Sequence, residues 1–273
     1  MRKVKLFALL FFLAGIIFFA CKKNNEQETA SASEKEKATV SSIPRCPPDQ
    51  TPVNFYSALF TEDPTFEVVV DNFGNSAYDV VEMVYKTGGK ELVAQYDKLV
   101  HGTEGWAPVQ EFYEQNGIDA DAMLTKKAEV LASLLLLYKN HPDFYNMSIE
   151  DQSTVIRNVF TSLSEPQFRA LHPKSPVVIT YTALAERLGA EITPAQFRLT
   201  MSEVGDCLRD AVIGVIASSS SIIRDLYNTI TGYNLGWSGI IRVAKSALST
   251  VLHGNLIGAA VGFGLCIAWE TFF

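Results

Sequence analysis

An all-α fold is what the 273-residue chain predicts. The expected form is an irregular multi-helix globular domain behind a disordered tether, ending in an apolar, glycine-rich C-terminal helical hairpin. Three observations carry the expectation. Apolar residues recur at spacings of three and four over several long segments. Helix-start signals, in which a Ser or Thr precedes an acidic or amide residue three positions on, stand ahead of those segments. The β-like runs are short and do not alternate.

The elements follow in chain order. Phe66-Glu67-Val68-Val69-Val70 is the first β-like run. Residues 75–85 and 90–100 read as two helices parted by Gly88-Gly89. Residues 122–138 form the strongest helical pattern, with Leu124, Ala128, Leu131, Leu134, Leu135 and Tyr138 on one face. Ser148-Ile149-Glu150-Asp151 opens a helix that turns Val155, Ile156, Val159, Phe160 and Leu163 inward. Ser164-Glu165-Pro166-Gln167 starts a short one. Val177-Val178-Ile179 is the second β-like run. Thr193-Pro194-Ala195-Gln196 combines an N-cap, a Pro at the first helical position and a Gln at the third. A stripe of Phe197, Met201, Val204, Leu208, Ala211 and Val215 lies behind it.

Composition bounds the function. Hydrophobic residues make up 48 % of the chain and charged residues 19 %, which is too apolar for a disordered protein. The formal charge of −7 argues against a generic nucleic-acid binder. The charge is uneven. Residues 44–210 hold 24 acidic and 13 basic residues, an acidic helical body. Residues 211–273 hold two acidic and three basic residues, an apolar helical tail expected to pack with the body as one domain.

The N-terminus reads as an address. Arg2, Lys3 and Lys5 precede 15 uncharged residues, and Ala20-Cys21 follows. The run is short for a spanning helix, which needs roughly 20 apolar residues. With Phe18-Phe19-Ala20-Cys21 it resembles a bacterial lipoprotein signal peptide. Phe18 and Phe19 depart from the usual Leu and small residue of that motif. The resemblance implies removal of residues 1–20, acylation of Cys21 and attachment to a lipid bilayer. Lys22 after the cysteine resembles lipoproteins sorted to the outer membrane, so the expected location is extracytoplasmic. Residues 22–43 carry four lysines, four glutamates and little apolar surface. With Cys21 they form the expected lipidated, disordered tether.

The tail has one patterned feature. Gly254, Gly258 and Gly262 recur every four residues, which sets three bare backbone positions on one helix face. One reading is a membrane-active hairpin, roughly residues 211–221 with 240–269. The other is a central helix wrapped by the acidic body. His253, Asn255, Arg242 and Lys245 suit lipid poorly.

After lipidation Cys46, Cys207 and Cys266 remain. If the two C-terminal helices run antiparallel, Cys207 and Cys266 come within bridging distance. The alternative is that both are small buried hydrophobes. Cys46, flanked by Arg45 and Pro47-Pro48, is the free or alternatively paired thiol if that bridge forms.

Tyr138-Lys139-Asn140-His141-Pro142-Asp143 ends a helix. With the following segment through Leu171, and with Phe112-Tyr113-Glu114 and Gly117 upstream, it resembles a J-domain, the co-chaperone module. That resemblance implies a role for His141-Pro142-Asp143 against an ATP-driven chaperone. The segment departs from the family where the helix before the motif should be basic. Leu134 to Leu137 stand there, leaving Lys126, Lys127 and Lys139. The plain alternative is a helix end followed by a proline turn.

The histidines at 101, 141, 172 and 253 make no metal-ligand spacing. No nucleophile elbow or phosphate loop appears. No catalytic residue, metal or cofactor is therefore expected, and a non-enzyme is favoured. The expectation is a membrane-anchored lipoprotein acting as a binding or structural module for an unidentified protein or ligand partner, without nucleic acid. The alternative is a pore-forming or bacteriocin-like effector that uses the glycine-faced hairpin.

Overall fold

The computed structural model describes residues 45–102, 105–171, 200–218 and 220–250. Among these the chain is all-α: ten helices and no strand. They are α1 (Pro52–Leu59), α2 (Pro64–Gly102), α3 (Ala107–Gln115), α4 (Ala120–Asn140), α5 (Pro142–Tyr145), α6 (Ile149–Ser162), α7 (Glu165–Leu171), α8 (Met201–Ser218), α9 (Ser220–Gly232) and α10 (Trp237–Thr250).

Helix α4 is the axis, and α2, α9 and α10 pack around it. Its N-cap is Asp119, whose carboxylate accepts from the Ala122 N–H at 3.0 Å. The six residues expected on its inner face are all buried, and so are Met123, Val130, Ala132 and Leu137. A helix apolar on nearly every side belongs in a core. Helix α10 lays Ile240, Ala244, Ala247 and Leu248 inward, and Lys245 holds it to α4 through Asp121 and Thr125, each at 2.9 Å. A second layer pairs α6 with α8 and with α1. At that contact Gly205 of α8 meets Phe160 of α6 so closely that a Cβ would lie 2.4 Å from the phenylalanine Cβ.

The run Phe66 to Val70 corrects the sequence reading, because it is helical. Asp63 accepts from the N–H groups of Thr65 and Phe66 at 2.8 and 2.9 Å, and Pro64 fills the first helical position. Behind that cap Phe66, Val69, Val70 and Phe73 are buried at intervals of three, one and three. This is one helix face, and the β-branched valines adapt to it. Helix α2 then breaks at Gly88-Gly89, as the glycine pair suggests. Gly89 has φ +65°, where a side chain would strain the backbone.

Helix α8 starts at Met201 behind a reciprocal cap. The Glu203 carboxylate accepts from the Thr200 N–H at 2.6 Å, and Thr200 Oγ1 accepts from the Glu203 N–H at 3.3 Å. Thr200 itself is not helical, so the apolar stripe does not run as one helix from Phe197. Thr193–Gln196 and Val177–Ile179 lie outside the described residues. The composition step at residue 211 falls inside α8.

Candidate functional site

A cleft of about 820 Å³ opens where the described chain begins. Two helix starts wall it. Thr51 caps α1, accepting from the Asn54 N–H at 3.3 Å, and Ser148 caps α6, accepting from the Asp151 N–H at 3.1 Å. The one-turn helix α5 lies between them and supplies Asp143. Pro52, Val53 and Met147 give the cleft apolar surface, and no Lys or Arg lines it.

Three groups in the cleft carry chemistry. Asp151 accepts from the Ser148 hydroxyl at 2.8 Å. Tyr56 is pushed up to about 12, by burial first and then by the negative charge of Asp143, so it stays a neutral phenol. Cys46 is a free thiol, half-buried, with Sγ 3.5 Å from the carbonyl oxygens of Pro47 and Gln50. Two carboxylates, a phenol and a thiol around apolar patches can hold a cationic group and the carbon chain that bears it.

His141, which the sequence places in a turn, is 2 % exposed. It ends α4 and starts α5, edge-on to Phe60 at 5.1 Å and to Tyr56 at 6.0 Å. Its Nε2 stands 3.1 Å from Asp63 Oδ2. Burial pushes Asp63 up, but the imidazole and the N–H groups of Phe66 and Thr65 outweigh it and hold the carboxyl below its ordinary value. The pair ties the α1–α2 junction to the end of α4.

Sequence reasoning missed a second cluster. Lys127, counted among the basic residues left on α4, is 0 % exposed. Its Nζ donates to the Tyr96 hydroxyl at 2.9 Å and lies 5.7 and 5.8 Å from the ring centres of Tyr96 and Tyr113. The two hydroxyls bond each other. Burial lowers the Lys127 amine to about 7 and raises both phenols. The signal was position: Lys127 stands three residues after Leu124 and beside Ala128, on the inward stripe.

Cys207 is buried in α8 and disulfide-bonded, with a partner outside the described residues. Cys21, Cys266, Gly254, Gly258 and Gly262 also lie outside them. Among the described residues no group of three His, Cys, Asp or Glu side chains could hold a metal, and no helix is long and apolar enough to cross a membrane. No family model, curated protein or solved structure matches the chain.

Proposed function

We propose that the protein is a lipid-anchored, extracytoplasmic binding module that takes a cationic group in the cleft between α1, α5 and α6. The observation that carries the reading is the lining, with Asp143 and Asp151 present and no basic side chain. Two exposed carboxylates beside apolar surface attract a charged amine or guanidinium and repel an anion. The pattern ending at Cys21 supports the anchor, and Cys266 is the proposed partner of Cys207.

The packing of α10 against α4 supports a module over a membrane-active effector. The described part of the apolar tail, residues 211–218 and 220–250, already spends its apolar face on the core. Fully burying one such aliphatic side chain contributes roughly 1.5–3 kcal/mol, which insertion would have to replace.

Two experiments test the parts separately. Cys21→Ser should abolish acyl labelling, and retained labelling would refute the anchor. In an NMR fragment screen, amine- and guanidinium-bearing compounds should shift Val53, Asn54 and Asn146, whereas carboxylate-bearing ones should not. Asp143→Asn should weaken the amine binding by up to about fivefold, an exposed charge pair contributing roughly 0.2–1 kcal/mol. Amine shifts confined to other surfaces would sink the cleft as the seat.

A further inference from the structure

The turn joining α9 to α10 is unusual in an acidic protein. Residues 226–241 are 16 positions without a formal charge. At the tip Tyr233 is 78 % exposed and Trp237 is 38 % exposed. The turn is nonetheless fixed. Asn234 takes φ 45°, the Leu235 N–H donates to the Ile230 carbonyl at 2.9 Å, and Lys139 Nζ donates to the Leu235 carbonyl at 2.8 Å. Tyr227, further back on α9, stacks on Tyr145 at 4.1 Å.

Those contacts place the turn. Lys139 and Tyr145 flank His141-Pro142-Asp143, the C-terminal end of α4. Cys46, at the start of the described chain, lines the cleft with Asp143 from that same end. The chain therefore leaves toward Cys21 from the end of the molecule that carries the aromatic turn. Twenty-three residues separate Cys21 from Arg45, and an unstructured chain of that length would reach about 25–30 Å. An acyl group on Cys21 would keep this end facing the bilayer within that distance. Trp and Tyr are the side chains that favour the headgroup layer, where a ring is half apolar and half wet.

We infer that the α9–α10 turn is a membrane-interface contact, with Tyr233 and Trp237 seated among the headgroups of the bilayer that holds the anchor. The contact rests on the lipid-anchor reading for its nearness to a bilayer. Its partner is the neutral interfacial layer of lipid rather than an anionic surface, because residues 226–241 carry no charge and the Lys139 ammonium beside them is engaged by the Leu235 carbonyl.

The test uses the chain as isolated from cells, incorporated into vesicles of phosphatidylcholine and phosphatidylethanolamine. A fraction of the acyl chains is brominated near the headgroup, and acylation of Cys21 is read separately by mass. Tryptophan emission should be quenched, and a Trp237→Phe chain should lose most of that quenching. Tyr233→Ser, which keeps Trp237, should reduce it several-fold, and half-molar salt should leave it unchanged. The Cys21→Ser chain, titrated with the same vesicles, should still partition. The double variant Tyr233→Ser/Trp237→Ser should bind at least tenfold more weakly. Equal quenching in the wild-type and Trp237→Phe chains overturns the contact, as does partitioning that the double variant leaves intact. An unacylated Cys21 with turn-dependent partitioning overturns the anchor and leaves the contact standing.

Discussion

Lys127→Met should stabilise the protein by an amount that depends on pH, greatest near pH 6 and fading toward pH 10. The amine is fully buried against Tyr96 and Tyr113, and burial alone lowers it to about 7. Below that value the ammonium is charged in both states, so the folded protein bears the full cost of a buried charge. Between about pH 7 and the ordinary lysine value near 10.4, the unfolded chain holds a proton that the folded chain lacks. Wild-type stability therefore rises with pH across that window, by on the order of 4 kcal/mol. Methionine keeps an unbranched stem in the same space and has no proton to lose. The Tyr96 hydroxyl still has Tyr113 as its partner. Urea midpoints at pH 6, 7.5 and 9 should climb for the wild type and stay level for the variant. Both phenols are raised, so their ionisation in the unfolded chain intrudes only above about pH 10. Two parallel profiles would show that Lys127 carries no such burden.

Gly205→Ala should destabilise the protein, although alanine is the better helix former. The new methyl would sit 2.4 Å from the Cβ and 2.9 Å from the Cγ of Phe160. Phe160 is fully buried, near-parallel to Phe168 at 5.6 Å and against Phe66 at 6.4 Å, so its ring is held on both sides. A Cβ cannot rotate away, which leaves separation of α6 from α8. Overpacking of this kind costs typically 1–3 kcal/mol, against about 1 kcal/mol gained in helix propensity. The expected net loss is up to about 2 kcal/mol, read as a lower urea midpoint. Gly232→Ala is the control. Nothing lies within 4 Å of that site, and its midpoint should move by no more than about 0.5 kcal/mol equivalent. Equal behaviour of the two variants would mean that α6 and α8 yield at Gly205.

Which parts of this architecture the sequence discloses follows from how each is encoded. The inward face of α4, the Ser148 cap and the Gly88-Gly89 break are local signals. Each needs only side-chain period, one capping oxygen or one left-handed backbone position. Phe66 to Val70 misleads because β-branched residues suit a strand by propensity. The deciding signal is Asp63-Pro64 just before them, a cap read only when composition is set aside. The burial of Lys127 and of His141 escapes the sequence for one shared reason. Burial of a polar residue is not legible until its distant partner is known. The partners, Tyr96 and Asp63, stand 31 and 78 positions away in the chain. The cleft is less legible still, since Cys46, Asn54, Asp143 and Asp151 meet only after α1 docks on α6.

The dependence of α4 on α10 also governs when this protein can fold. Lys245 meets Asp121 across 124 positions of sequence. A ribosome has therefore finished α4, with its nearly continuous apolar circumference, long before α10 exists to cover one flank. Contacts of such separation form late, because loop closure must be paid before they return anything. During that interval the nascent chain holds exposed apolar helix and no complete core, the condition in which aggregation competes with folding. Folding is thus deferred until α10 has been synthesised. On the proposed export route that delay would be an advantage, since a narrow channel passes a polypeptide only while its tertiary structure is still unmade.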